Sequence, residues 1–220
     1  MSGRDTAYVW VGRDAGGQPG PAGGLLRRAG AALLGGAESE VVLTHDTGGR
    51  PLVRIDGRAT LPVSVSRTAG IVVVAARVVG PVGVDVERVR PLPALALARR
   101  WFPPTELAWL AGRPEAGRAV DFLRLWTAKE AVGKALGRGL RDGGLLRPMP
   151  PPGRSLRPVP GGEPLRVGHP ELGGGLVVAV AVRAQASVDV EVVQWTGHGV
   201  AAARRASIER TSLPVVVRGS

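Results

Sequence analysis

The chain has 220 residues, 44% of them hydrophobic, and a formal net charge of +11. That is enough apolar material for one large domain or two small ones, and too much for a disordered chain. With no cysteine, disulfides, thiolate metal sites and cysteine nucleophiles are excluded, and the three histidines (His45, His169, His198) are too scattered for a histidine-rich metal site.

The charge predicts anionic partners. Aromatic residues are only 4%, and there is no zinc finger, RNP-like strand or strongly basic helix, so nucleic acid is not the expected partner. No stretch approaches the ~20 apolar residues of a membrane span and the first residues lack an apolar signal core, so a cytoplasmic protein with no membrane partner is expected.

Along the chain, residues 7–11 read as a strand, followed by a Gly/Pro-rich loop and a helix over 25–34 stopped by Gly35-Gly36. Residues 40–44 form a strand candidate that leads into a turn at 46–51. Residues 61–66 alternate apolar and polar side chains, as a half-buried strand does. The β-branched run at 70–80 and the run at 82–87, separated by Pro81, predict a hairpin. Helical patterning then covers 95–102, 105–110 with Thr105 as N-cap, and 117–136 before Gly137 and Gly139. Residues 142–164 read as a Pro/Gly-rich connection. Residues 176–183 and 188–193 form another strand pair, and 196–220 a helical turn and tail.

Two segments are similar. Gly70-Ile-Val-Val-Val-Ala-Ala-Arg, leading to Val84-Asp-Val-Glu87, matches Gly175-Leu-Val-Val-Ala-Val-Ala-Val-Arg, leading to Val188-Asp-Val-Glu191. The repeat predicts two similar halves packed face to face, although a valine-rich chain produces such matches by chance as well.

In Gly83-Val-Asp85-Val-Glu87 the strand period puts Asp85 and Glu87 on one face, about 7 Å apart at two residues of ~3.3 Å each. Such a pair suits a hard cation such as Mg2+, which takes a few carboxylates together with phosphate oxygens. It equally suits the solvated face of an ordinary hairpin. In Trp126-Thr-Ala-Lys129-Glu130-Ala-Val-Gly-Lys134-Ala-Leu-Gly137, helical spacing puts Trp126, Glu130 and Lys134 on one face. An amphipathic helix with a surface ion pair would look the same. The lysines favour function: of 29 basic residues only Lys129 and Lys134 are Lys, and they lie within six residues of each other.

The two blocks together, at this separation, resemble the Sfp-type 4′-phosphopantetheinyl transferases, whose pattern is (V/I)-G-(V/I)-D-x-E followed by W-x-x-K-E-(A/S)-x-x-K-x-x-G. The resemblance runs from about residue 49 to 139. It implies an α+β fold of two similar α/β halves related by a pseudo-twofold, with 1–90 the N-terminal half, 91–195 the C-terminal half and 196–220 a tail. It also implies an enzyme that moves the phosphopantetheine arm of coenzyme A to a serine of an apo acyl or peptidyl carrier protein and releases 3′,5′-ADP. The carriers belong to fatty-acid, polyketide or nonribosomal peptide biosynthesis, and the enzyme would act as a monomer.

By the same resemblance, Asp85, Glu87 and Glu130 would gather Mg2+, and Glu130 would serve as base for the carrier serine. Lys134 would hold a coenzyme A phosphate and neutralise developing charge, and Lys129 would be a further coenzyme A ligand. The family's Gly-Lys-Pro reads here as Gly49-Arg50-Pro51, and its Ser-His-Ser/Thr as Ser66-Arg67-Thr68, with Arg67 beside the 3′-phosphate. Both departures keep a cation. Arg27 and Arg28 are candidates for contacts over the nucleotide. The N-terminal half is shorter than in the family, which leaves open a catalytically weak relative that only binds coenzyme A or a carrier.

Overall fold

The structure, a computed structural model, describes residues 5–13, 21–141 and 143–195; the tail expected at 196–220 lies outside them. Mixed helix and strand content makes it an α+β protein. The elements are β1 (Thr6–Arg13), α1 (Pro21–Leu34), β2 (Val42–His45), β3 (Pro51–Arg54), β4 (Leu61–Thr68), β5 (Ile71–Arg77) and β6 (Val82–Arg88). There follow α2 (Ala94–Trp101), α3 (Pro104–Ala111), α4 (Glu115–Leu136), β7 (Arg157–Pro158), β8 (Leu165–Gly168), β9 (Leu176–Arg183) and β10 (Asp189–Trp195).

Six strands form one sheet in the order β10-β1-β5-β4-β3-β2, and four form a second in the order β6-β9-β8-β7. β1 runs parallel to β10, and the other described pairings are antiparallel. Three apolar cores separate four layers. Leu25, Leu26 and Ala29 of α1 pack on Val53, Val72 and Val74 of the large sheet. Val9, Val73 and Ala75 of that sheet meet Val84, Val86, Val178 and Val180 of the small one. Phe122, Leu125, Ala128 and Val132 of α4 cover the far face of the small sheet at Val177, Ala179 and Ala181. Fully burying one such Val or Leu side chain is worth ~1.5–3 kcal/mol, so these layers dominate stability.

The two expected hairpins do not form. β5 pairs with β1 and β4 and is buried along its whole length, so no edge is left for β6. The chain instead turns at Gly80 (φ 82) and Pro81, and β6 enters the other sheet beside β9. β9 and β10 repeat the manoeuvre in reverse, β10 crossing to the large sheet. The short strand β3 begins at the last residue of the expected turn, β7 falls inside the expected connection and β8 follows it; none of the three was expected as a strand. Thr105 is not an N-cap: α3 begins at Pro104 with Pro103 before it, and no side chain caps it.

α4 lies against β6 so closely that glycine is required at 83. A Cβ there would stand 2.0 Å from the Ala131 carbonyl oxygen and 2.6 Å from the Ala135 nitrogen. The free edge of β6 is closed by serine hydroxyls rather than by a strand. The Val84 and Val86 amides donate to Ser64 Oγ at 3.1 Å and Ser66 Oγ at 3.3 Å, which removes the exposed donors of an edge.

Candidate active site

Gly83, Asp85 and Glu87 point one way from β6, toward α4, while Val82, Val84 and Val86 enter the core between the sheets. Two residues of strand rise about 6.6 Å and four residues of helix about 6 Å, so the two periods keep step along the contact. Gly83 meets Ala131 and Ala135, Asp85 meets Lys134, and Glu87 lines a groove with Trp126. The residues expected on one strand face and one helix face are thus brought together.

Asp85 is 7% exposed. Its Oδ1 accepts hydrogen bonds from Lys134 Nζ at 2.7 Å and Ser66 Oγ at 2.8 Å, and Lys134 Nζ also donates to the Val84 carbonyl at 3.0 Å. Burial raises the Asp85 carboxyl above its ordinary range; Lys134 and then Ser66 oppose this, and Glu87 adds to it. Glu130 is raised too, first by burial and then by the Asp85 charge, against Lys134. Glu87 Oε2 pairs with Arg90 Nη1 at 2.8 Å. Asp85, Glu87 and Glu130 therefore form one electrostatically coupled acidic patch with a single lysine at its edge.

Among the described residues, no three His, Cys, Asp or Glu side chains already stand as a metal cage. The donor chemistry nonetheless fits a hard divalent cation. The patch consists of carboxylate oxygens, and burial first, with mutual repulsion adding to it, raises the pKa of Asp85 and of Glu130. Asp85 and Glu87 are each held by a cation, which an incoming metal ion would have to displace.

Beside Lys134 opens a cleft of about 490 Å3 whose charged lining is Arg50, Arg67, Lys134, Arg138 and Arg141, with His45 and, among the described residues, no carboxylate. Arg50 is fixed by its turn. Asp46 Oδ1 accepts the amides of Gly48 and Arg50, each at 2.9 Å, and Asp46 Oδ2 takes Arg50 Nε at 2.7 Å. These bonds, the Arg50 amide first, hold the Asp46 carboxyl below its usual value. The guanidinium of Arg50 then rests against Gly137, where a Cβ would be 2.5 Å from Nη1. Arg67 faces the cleft from β4.

Other expected site residues sit elsewhere. Ser66 is buried and orients Asp85, and neither it nor Thr68 lines the cleft; Ser64 does. Lys129 was expected among the coenzyme A ligands, but its side chain has no exposure. Its ammonium lies 3.0 and 2.8 Å from the two oxygens of Glu106 on α3 and donates to the Arg147 carbonyl at 2.6 Å. Burial lowers its pKa, and Glu106 opposes the shift. One position before Glu130 on the helix, it turns into the core rather than the cleft. Arg27 and Arg28 do not line the cleft either. Arg27 donates to the Val41 carbonyl, and Arg28 pairs with Glu38 at 3.0 Å. Sequence reasoning missed Arg138, Arg141 and His45. The available signal was the recurrence of a cation four residues after Lys134.

Comparison with known proteins bears on the same stretch. Residues 81–154, which hold both blocks of the acidic patch, match the 4′-phosphopantetheinyl transferase superfamily. Over this stretch the chain is similar to the 4′-phosphopantetheinyl transferases. It is 30% identical over 119 residues to the 4′-phosphopantetheinyl transferase HetI of a Nostoc species, covering 53% of this chain and 50% of that protein. It is 43% identical over 72 residues to a putative 4′-phosphopantetheinyl transferase of Synechocystis, covering 32% of this chain and 29% of that protein. With the transferase Sfp of Bacillus subtilis it shares 35% over 60 residues, 27% and 26% of the two chains. The match thus spans half or less of each of these relatives.

Proposed function

We propose that this chain is a 4′-phosphopantetheinyl transferase, moving the phosphopantetheine arm of coenzyme A to a serine of an apo acyl or peptidyl carrier protein. The observation that supports it most is the junction of two charge environments at Lys134. On one side lie Asp85, Glu87 and Glu130, and on the other a cleft lined, among the described residues, by five cations and no carboxylate. A diphosphate ligand spans such a junction naturally, with its charge in the cleft and its reacting phosphorus beside the carboxylates.

In this reading Arg50 and Lys134 bind the diphosphate, and Arg67 the 3′-phosphate. The groove of Glu87, Leu97, Trp101, Phe122 and Trp126, about 340 Å3, takes the uncharged pantetheine arm. The serine oxygen forms a bond to phosphorus as the bond to 3′,5′-ADP breaks, and the serine proton passes to Glu130. The raised pKa of Glu130 matches that task. Lys134 neutralises charge on the leaving diphosphate. Asp85, Glu87 and Glu130 would hold Mg2+, which when bound supplies charge neutralisation and a template for the phosphates.

The halves 1–90 and 91–195 would be related by a pseudo-twofold. What supports this is that β1 pairs with β5 and β6 with β9, and that the two Val-Asp-Val-Glu segments, at β6 and β10, cross between the sheets in opposite directions. Carrier proteins of acidic surface suit a chain of +11. Among the described residues, no helix is long and apolar enough to cross a membrane.

Intact-mass measurement on a panel of apo carrier proteins with coenzyme A and Mg2+ tests the reading. A gain of one phosphopantetheine on at least one carrier, lost on adding EDTA, is expected. No gain on any acyl or peptidyl carrier would overturn it.

A further inference from the structure

The shared motif ends at Gly137, but the cleft does not. Gly137 (φ 71) stops α4, and Gly139 (φ 58) turns the chain back. The amides of Arg138 and Gly139 both donate to the Gly133 carbonyl at 3.0 Å. A Cβ on Gly133 would be 2.1 Å from the Gly139 carbonyl oxygen, so helix and turn touch backbone to backbone. The turn is thereby held in one position. Arg138 lies just past the end of α4, four residues after Lys134, and lines the same cleft. Arg141 follows it on the same wall.

Arg138 and Arg141 are exposed, and neither has a carboxylate partner among the described residues; the same holds for Arg67, which lines the cleft from β4. Three guanidinium groups with no carboxylate partner among the described residues share one concave space and repel one another. Folding alone does not favour that arrangement, whereas an anion with several oxygens relieves it, and Arg binds such groups through paired donors.

We propose that Arg138 and Arg141 grip the phosphate monoester on the nucleotide end of the ligand, together with Arg67, and set the preference for a ligand that carries it. Arg67 has its assignment from sequence resemblance, whereas Arg138 and Arg141 come from the geometry of the turn. The proposal rests on the transferase reading for the identity of the ligand. A dianionic monoester meets two further cations there, while the diphosphate stays beside Lys134 and Arg50. The wall after α4 thereby takes up the phosphate contacts that Arg27 and Arg28, turned elsewhere, do not make.

The test is calorimetric binding of 3′,5′-ADP and of 5′-AMP to the full chain in EDTA, which leaves metal out of the comparison. Wild type should bind 3′,5′-ADP at least about tenfold more tightly than 5′-AMP, as one or two charge-assisted contacts imply. The double variant Arg138→Gln, Arg141→Gln should lose most of that preference while its affinity for 5′-AMP stays within about twofold. The Arg138→Lys, Arg141→Lys variant should keep a good part of it. Matching thermal midpoints will show that all three proteins are folded, since both positions are exposed.

Equal weakening of both nucleotides, an undiminished preference in the Gln variant, or no preference in wild type would each overturn the proposal. Carrier labelling reports separately. Preference without labelling leaves the subsite standing and removes the transferase reading. Labelling without preference does the reverse.

Discussion

Gly83 and Ala131 are in contact with no room for a side chain between them: a Cβ on Gly83 would lie 2.0 Å from the Ala131 carbonyl oxygen. The obstacle is helix backbone, which cannot rotate aside. This contact sets the distance from β6 to α4, and therefore from Asp85 to Glu130 and Lys134.

Gly83→Ala should push α4 off the strand. Overpacking of this kind costs about 1–3 kcal/mol, and more where backbone blocks it. A misplacement near 1 Å at the chemistry costs on the order of a hundredfold in rate. Urea unfolding and carrier labelling measured on the same preparation check both effects. Unchanged stability and turnover would show that the helix and strand are not locked at this point.

Glu130→Gln separates activity from stability. The variant should not label carriers, because the proposed proton acceptor is gone. Metal-free and at neutral pH it should be more stable than wild type. The folded-state pKa of Glu130 lies above its usual 4.5, so the folded protein binds the proton more tightly than the unfolded chain does. Wild-type stability therefore rises as pH falls through the folded pKa toward 4.5, and the advantage of Gln should fade over that window. Each kcal/mol relieved raises the melting point by about 2–4 °C in a protein of this size. Melting curves in EDTA from pH 7 to pH 4 give the result directly.

His169 has the opposite sign. Its Nε2 meets the Arg124 carbonyl at 2.8 Å and so carries the proton there, and burial, the largest influence, pushes its pKa below 6.5. The unfolded chain gains a proton near 6.5 while the folded one resists, so stability should fall as pH drops through 6.5 toward the folded pKa. His169→Gln keeps an amide donor for Arg124 and should flatten the urea midpoint between about pH 7.5 and 5.5, the range around an ordinary histidine. A wild-type midpoint already flat in that range would contradict the burial of this ring.

Lys129 and Glu106 form a buried pair. Removing one partner should cost about 3–5 kcal/mol, whereas replacing both with apolar residues should cost much less. The cycle Lys129→Met, Glu106→Met and the double variant, followed by urea unfolding, measures this. Where Lys129→Met folds, its KM for coenzyme A should match wild type, because the ammonium does not reach the cleft. A raised KM with normal stability would return Lys129 to the ligand set.

The acidic patch was legible in sequence because both of its periods are local. A two-residue step fixes Asp85 and Glu87 on one face, and a four-residue step aligns Trp126, Glu130 and Lys134. What decides Lys129 is tertiary: only the docking of α3 and of 147–149 buries it, and nothing at position 129 announces that. The expected hairpins failed for a similar reason. β5 and β6 are adjacent and both β-branched, but the two neighbours of β5 come from distant segments, β1 and β4. Arg138 and Arg141 were hidden among the many other arginines until the turn at Gly137 and Gly139 set them into a wall.

The exchange of β6 and β10 between the sheets has a consequence for how the chain is made. β10 completes the first sheet only after the second has been synthesised, and β6 waits for β9, nearly a hundred residues later, to gain its strand partner. Such distant pairings close slowly, and until they form both sheets expose raw edges. The protein should therefore mature in one late step, with neither sheet complete until its last strand arrives.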